Sequence, residues 1–443
     1  MTTPVYDFVK AYAASGTARL HMPGHKGKPF LGCEALDITE VAGAGALYEA
    51  SGILAESEQN AAALFGSGRT LYSTEGSSQC IRAMIYLAAL CRPEQDTPPV
   101  IVAARNAHKS FLYAAALCGV EIVWLWAERR GTICESGITP AALEETLEQI
   151  SIRPAGVYIT SPDYLGNMAD MAGLAAVCRR HGVPLLVDNA HGAYLKFLPA
   201  SRHPLDLGAA MCCDSAHKTL PVLTGGAYLH IAADAPAAFA ERAKEAMELF
   251  GSTSPSWLTL TSLDRCNRDL AEGYPARLAE TVRRLDDLRL ALRARAWEVA
   301  DSDLLRLTLR GDGLAIAARL RAGGVEPEYA GREFCVLMAT PENEPGDFTR
   351  IAETLGQNDL PAPPPALVKL PPLRCERACS LWEALFAPRE TIPASESTGR
   401  VCAAPTASCP PAIPVVVPGE RIGAEAAAWF SHYGIEAVEV MKK

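Results

Sequence analysis

No run in this sequence approaches the ~20 apolar residues that a helix needs to cross a bilayer, so no membrane partner is expected. No leader is expected either. Met1-Thr2-Thr3-Pro4-Val5-Tyr6-Asp7-Phe8-Val9-Lys10 has neither a charged start nor an apolar core, which reads as no signal peptide. Positive charge is not in excess: 41 Lys and Arg against 51 Asp and Glu give a formal net charge of -10. That balance argues against nucleic acid as a partner, because such partners usually meet a basic surface. No Cys-x-x-Cys pair occurs among the 14 cysteines, and Cys375-x-x-x-Cys379 has no second pair or nearby His, so no metal is expected. Most cysteines sit among apolar neighbours, as buried free thiols do, and a reducing cytoplasm is the expected location.

What is present is the composition of a folded chain: 49% hydrophobic and 21% charged, which excludes disorder. A length of 443 residues suggests roughly three domains. After an amphipathic helix and the polar loop His21-Met22-Pro23-Gly24-His25-Lys26-Gly27, short apolar runs alternate with helical stretches. Strands are expected at 70–73, 100–104, 121–126, 156–160, 183–187 and 208–213, and at 225–231, the last a candidate for antiparallel pairing. Helices are expected at about 55–65, 77–91, 109–118, 139–150 and 170–180, with Thr139 as a cap before Pro140. The alternation predicts an α/β fold, a three-layer αβα arrangement with a mostly parallel central sheet.

The texture changes after about 255. Long helices rich in Leu, Arg, Asp and Ala fill 258–295, and 300–355 reads as α+β. The expected organisation is an N-terminal segment 1–44, a large domain 45–255, a small α+β domain 256–360 and a C-terminal piece 366–443. Pro361-Ala362-Pro363-Pro364-Pro365 forms the break before that last piece.

Parallel sheets bind ligands at the carboxyl ends of their strands. There, Gly76-Ser77-Ser78 opens a helix after the strand at 70–73. A tight Gly turn, two hydroxyls and free helix N–H groups form an anion cradle, or simply a helix cap. His108 follows the strand at 100–104, where its ring either stacks on a flat ligand or caps the next helix. The apolar run 183–187 ends abruptly in Asp188, with Asn189, Ala190 and His191 behind it. A carboxylate so placed is costly without a cationic partner, such as a protonated ring nitrogen. After the strand at 208–213 comes Asp214-Ser215-Ala216-His217-Lys218, with Leu220-Pro221-Val222-Leu223 beyond. An apolar setting frees a Lys amine as a nucleophile, unless the side chain snorkels outward. Ser215 and His217 beside it could hold a phosphate. A phosphate cradle, a flat ring, a buried carboxylate and a desolvated Lys are together what pyridoxal 5'-phosphate requires.

At this point the chain resembles the Orn/Lys/Arg decarboxylases of the fold type I, aspartate-aminotransferase-like group of pyridoxal-phosphate enzymes, in a short form without the wing domain. The segments that carry the resemblance are 21–27, Asp37-Ile38-Thr39-Glu40, 73–78, 105–110, 187–192, 214–218, Thr253-Ser254-Pro255-Ser256 and the proline-rich run 410–420. Cys409-Pro410-Pro411-Ala412 departs from the pattern, where an aromatic and a Gly are expected around the prolines. The resemblance implies that 45–255 binds pyridoxal 5'-phosphate and that 366–443 is a decarboxylase-type subdomain. It implies Lys218 as the Schiff-base lysine, Asp188 as the pyridine-nitrogen partner and His108 as the stacking ring. Ser77, Ser78 and Ser215 become phosphate ligands, with Gly76 permitting close approach. His217 stands beside the lysine for proton transfer or phosphate binding, and His191 near the ring hydroxyl or the substrate.

The implied reaction is decarboxylation of lysine, arginine or ornithine to a diamine or agmatine plus CO2, with Lys218 or His217 returning a proton to Cα. Glu40, Glu49, Glu75 and Glu328 are alternatives for reading the distal cationic group. A homodimer or larger assembly is implied, with Thr253 and Ser254 reaching the partner's cofactor. Transamination, β-elimination and a pyridoxal-phosphate fold without turnover are the competing readings.

Overall fold

A computed structural model describes residues 1–49, 51–93, 96–126, 132–135, 137–356, 370–406 and 412–442. The expected break at 361–365 and the departure at 409–411 lie outside the described residues. Two helices come first, α1 (Pro4–Ala14) and α2 (Gly52–Phe65). Strands and helices then alternate: β1 (Arg69–Ser73), α3 (Ser77–Leu90), β2 (Val100–Ala104), α4 (Lys109–Leu117), β3 (Glu121–Leu125), α5 (Pro140–Gln149) and β4 (Gly156–Thr160). The series continues with α6 (Met171–His181), β5 (Leu185–Asp188), β6 (Met211–Asp214), α7 (Ala216–Thr219) and β7 (Ala227–Ile231). The architecture is the expected α/β class, a large, mostly parallel sheet with flanking helices, followed by smaller antiparallel sheets.

The chain forms two compact units. The first comprises Met1–Gln95, Pro154–Ile159 and Met171–Ala276. Its strands lie in the order β1-β7-β6-β5-β4. β5 and β6 are parallel, with Asp188 opposite Cys213. β7 runs antiparallel to β6 on one side and to β1 on the other. Two reversals cancel, so β1, β5 and β6 point the same way and their carboxyl ends open on one edge. Every residue of β5, β6 and β7 is buried, as in strands covered on both faces. α3 lies against β6 and β7 and brings its start to that edge.

The second unit comprises Asp96–Arg153, Thr160–Asp170 and Arg277–Lys443. It contains the parallel pair β2 and β3. It also holds an antiparallel sheet of β8 (Arg306–Arg310), β9 (Tyr329–Ala330) and β10 (Phe334–Met338), the α+β pattern expected for 300–355. The C-terminal region has two further antiparallel pairs, with Glu376–Arg377 against Glu420–Arg421 and Arg389–Pro393 against Ala437–Met441. One apolar cluster, including Val336, Val415, Val416, Trp429 and Phe430, fills this unit's core. No helix among the described residues is long and apolar enough to cross a membrane.

The strand expected at 225–231 starts at Ala227, and two others are displaced toward their carboxyl ends. The strand expected at 183–187 is Leu185–Asp188, because Pro184 has no N–H to offer and only its carbonyl is used, accepting from Val157 N. The strand expected at 208–213 is Met211–Asp214, because residues 204–207 coil into a short 3-10 turn first. Both shifts carry the terminal carboxylate into the strand itself.

Candidate active site

The edge formed by β1, β5 and β6 gathers eight of the nine expected site residues within the first unit. Gly76 caps α3 with φ +71, a left-handed conformation that glycine adopts without strain. Its N–H donates to Gly225 O at 2.7 Å, which fixes the turn. Ser77 and Ser78 then open a 14-residue helix, where N–H groups and helix polarity favour an anion. Ser215, just past β6, donates from Oγ to Ser77 Oγ at 2.8 Å. The two hydroxyl sources expected for one phosphate are therefore adjacent, although they stand 138 positions apart in the chain.

Asp188 ends β5 and is 3% exposed. Tyr158 on β4 donates its hydroxyl to Asp188 Oδ2 at 3.0 Å. Oδ1 accepts from Ala190 N at 3.2 Å and faces Cys213 Sγ at 3.7 Å. Among the described residues these partners are all neutral. The carboxylate is thus oriented from both flanking strands, and none of these three partners neutralises it.

Lys218 lies on the short helix α7, partly buried, with Nζ 3.1 Å from His191 Nε2. His191 is buried and lies three residues after Asp188. His217 is turned elsewhere: its Nδ1 donates to Gly226 O at 3.0 Å, leaving Nε2 as its exchangeable position. Burial lowers the His217 pKa, with the Lys218 charge adding to the effect, so the ring is neutral near pH 7.

His108 belongs to the second unit. It caps α4, its Nδ1 accepting from Ser110 N at 3.1 Å, as the capping alternative anticipates. The four glutamates differ in their engagement. Glu75 accepts from Ser252 N at 2.5 Å, Glu328 from Tyr164 Oη at 2.9 Å and Glu40 from Thr39 Oγ1 at 2.5 Å. Glu49 is exposed.

Sequence reasoning missed Tyr158 and Cys213 as partners of Asp188, and Asn189, whose Nδ2 donates to Asp214 Oδ1 at 2.7 Å. All three contacts cross between neighbouring strands. Only strand order and register would have revealed them.

Residues 3–306 match the major domain of the Orn/Lys/Arg decarboxylases, and residues 379–439 match the C-terminal domain of the same family. An arginine decarboxylase of Halalkalibacterium halodurans is 29% identical, over 95% of this chain and 91% of that protein. An arginine decarboxylase of Bacillus subtilis is 27% identical, over 96% and 92%. The crystal structure of the Francisella novicida lysine decarboxylase superposes with a TM-score of 0.83 at 17% identity, covering 99% of this chain and 81% of that one, which shows the shared fold. With the major and C-terminal domains both matched in order, the chain belongs to the Orn/Lys/Arg decarboxylase family.

Proposed function

We propose that this decarboxylase removes the α-carboxylate of lysine, arginine or ornithine, releasing CO2 and a diamine or agmatine, with pyridoxal 5'-phosphate held in the first unit. The observation that carries the reading is Asp188: a buried carboxylate whose described partners are all neutral, at the same sheet edge as the Lys218 amine. A protonated ring nitrogen supplies the missing positive charge, an aldehyde suits the amine, and the Ser77–Ser215 pair at the start of α3 suits a phosphate. Bound there, the cofactor supplies an electron sink for the bond to the departing carboxylate.

The residues divide the work. Asp188, oriented by the Tyr158 hydroxyl and the Ala190 N–H, would keep a proton on the ring nitrogen. Lys218 would hold the cofactor through its amine. His191 Nε2 faces Lys218 Nζ and can accept a proton from it. Ser77, Ser78 and Ser215 hold the phosphate, and Gly76 lets it approach the backbone. His217 Nε2 or Lys218 Nζ returns a proton to Cα. His108 is assigned to ring stacking on the family resemblance alone.

Arginine is the first substrate to test, since two relatives at full coverage carry that activity in their names. A homodimer or larger assembly with Thr253 and Ser254 near the partner's site, and a cytoplasmic location, complete the reading.

The test is an absorbance spectrum of protein loaded with pyridoxal phosphate, with and without borohydride, followed by CO2 release from lysine, arginine and ornithine. A borohydride-sensitive band that Lys218→Ala abolishes, with CO2 from at least one substrate, is expected. A keto acid product would point to transamination or β-elimination. The band without turnover of any basic amino acid would point to a fold that has lost its activity.

A further inference from the structure

One buried cluster plays no part in the assignment above. Asp214, His203 and His230 are each 0% exposed. Asp214 Oδ2 lies 3.0 Å from His203 Nε2 and 3.3 Å from His230 Nε2. Asp214 Oδ1 accepts the Asn189 amide at 2.7 Å. Behind it, His230 Nδ1 meets Thr70 Oγ1 at 2.8 Å, and that hydroxyl meets Ser67 Oγ at 2.7 Å. Burial opposes a charge on Asp214, but the two imidazoles outweigh it and hold the carboxyl well below its usual range. Burial pushes the His230 pKa down, against the opposing pull of Asp214. An ionised carboxylate therefore stands in the interior, with Oδ2 hydrogen-bonded to His203, Oδ1 to the Asn189 amide, and His230 Nε2 close by.

Its position in the chain gives the cluster a consequence. Asp214 ends β6, immediately before Ser215 and four residues before Lys218. Asn189 follows Asp188 and opens the turn that carries His191. The backbone fixes that turn as well, with Asn189 N donating to Cys213 O at 3.0 Å and Gly192 N donating to Asn189 O at 2.8 Å. A Cβ at Gly192 would fall 2.0 Å from Asn189 Oδ1, so glycine there leaves the amide the space it occupies against the turn. Asp214 thus bonds the segment bearing His191 to the segment bearing Lys218.

We propose that Asp214, held by His203 and His230, is a positioning residue that clamps Asn189 and thereby keeps His191 Nε2 and Lys218 Nζ at hydrogen-bonding distance. The clamp is distinct from the cofactor contacts, and its kinetic consequence rests on the decarboxylase reading. Asp214→Asn keeps the shape but loses the charge that both imidazoles address. His203→Gln keeps a side-chain donor and is the milder variant if Asp214→Asn fails to fold.

The first measurement is hydrogen exchange in cofactor-free protein. Both variants are expected to exchange faster in peptides covering 189–192 and 215–218, with the rest of the chain unchanged. The second is steady-state CO2 release, in which kcat falls by roughly tenfold or more while KM stays within about threefold, because the interaction orients reacting groups rather than binding substrate. Uniform exchange changes, or a lowered melting temperature with unaltered kcat, overturn the clamp. So does a stoichiometric transition metal in the purified protein that His203→Gln removes, since the three side chains would then be ligands. Wild-type protein that binds no pyridoxal phosphate and releases no CO2 refutes the decarboxylase reading alone, and the exchange measurement still decides the clamp.

Discussion

Tyr158 reaches across one strand spacing to donate its hydroxyl to Asp188 at 3.0 Å, both residues being essentially sealed from solvent. A neutral donor on a carboxylate stabilises the ionised form without cancelling its charge. Asp188 is thus oriented, as the proposed contact to a ring nitrogen requires.

Replacing Tyr158 by Phe removes that donor and little volume. A buried hydrogen bond to a charged group contributes about 1.5–3 kcal/mol. Steady-state kinetics of Tyr158→Phe are expected to show kcat/KM lowered by roughly tenfold, in line with about 1.4 kcal/mol per decade. An unchanged kcat/KM would mean that the hydroxyl does not act on Asp188.

Ser77→Ala removes the acceptor of the Ser215 hydroxyl at the start of α3. Cofactor titration of the stripped protein is expected to show affinity weakened by about five- to tenfold, the size of a single lost hydrogen bond of ~1 kcal/mol. CO2 release should recover at saturating cofactor. A loss that excess cofactor cannot restore would place Ser77 in the chemistry instead.

Asp264 gives the first unit a pH dependence. Burial raises its pKa to about 6, against the opposing hydrogen bonds from Ser57 and the Tyr6 backbone. An acid whose pKa is higher folded than unfolded binds its proton more readily in the folded state. Its contribution to stability is therefore complete below the unfolded value near 4 and is lost as pH rises toward 6. Chemical unfolding of wild type should show a contribution on the order of 1–3 kcal/mol lost between those limits. Asp264→Asn should flatten that slope, and an unchanged slope would contradict the assignment.

In the second unit, Arg105 and Glu420 form a buried ion pair at 2.9 Å, and the guanidinium also donates to Val415 O at 3.1 Å. The Arg105 carbon lies 4.8 Å from the centre of the Trp124 ring. Removing one partner strands the other charge, which costs about 3–5 kcal/mol. Arg105→Ala should lower the unfolding midpoint accordingly, and Arg105→Ala with Glu420→Gln should recover part of the loss. A single variant as stable as wild type would show the pair to be dispensable.

The sheet edge was legible in the sequence because each strand is a short apolar run ended by a chemical residue. Val100–Ala104 and Gly156–Thr160 fall where expected, and the Lys218 amine meets His191, three residues past Asp188. The lateral partners were not legible. Tyr158 reads as one more apolar position of a buried strand, and nothing within 156–160 says that its hydroxyl will face a residue 30 positions later. His203 and His230 look like isolated histidines until β6 and β7 are paired and Cys212 stands opposite His230. Periodicity reports which face is buried. Register between distant strands is set by tertiary packing, which a single sequence does not display.

The reversed strand β7 has a consequence for how the protein is made. It sits between β1 and β6, so the serine at residue 77 and the serine at residue 215 become neighbours only after residues 227–231 have been inserted. A chain emerging from the ribosome carries the carboxylate of residue 188 well before it can hold a phosphate. Contacts so far apart in sequence form late, because a long loop must close first. If these serines hold the cofactor as proposed, its capture belongs to the end of synthesis of the first unit, and a chain truncated before residue 227 should pass through the cell unloaded.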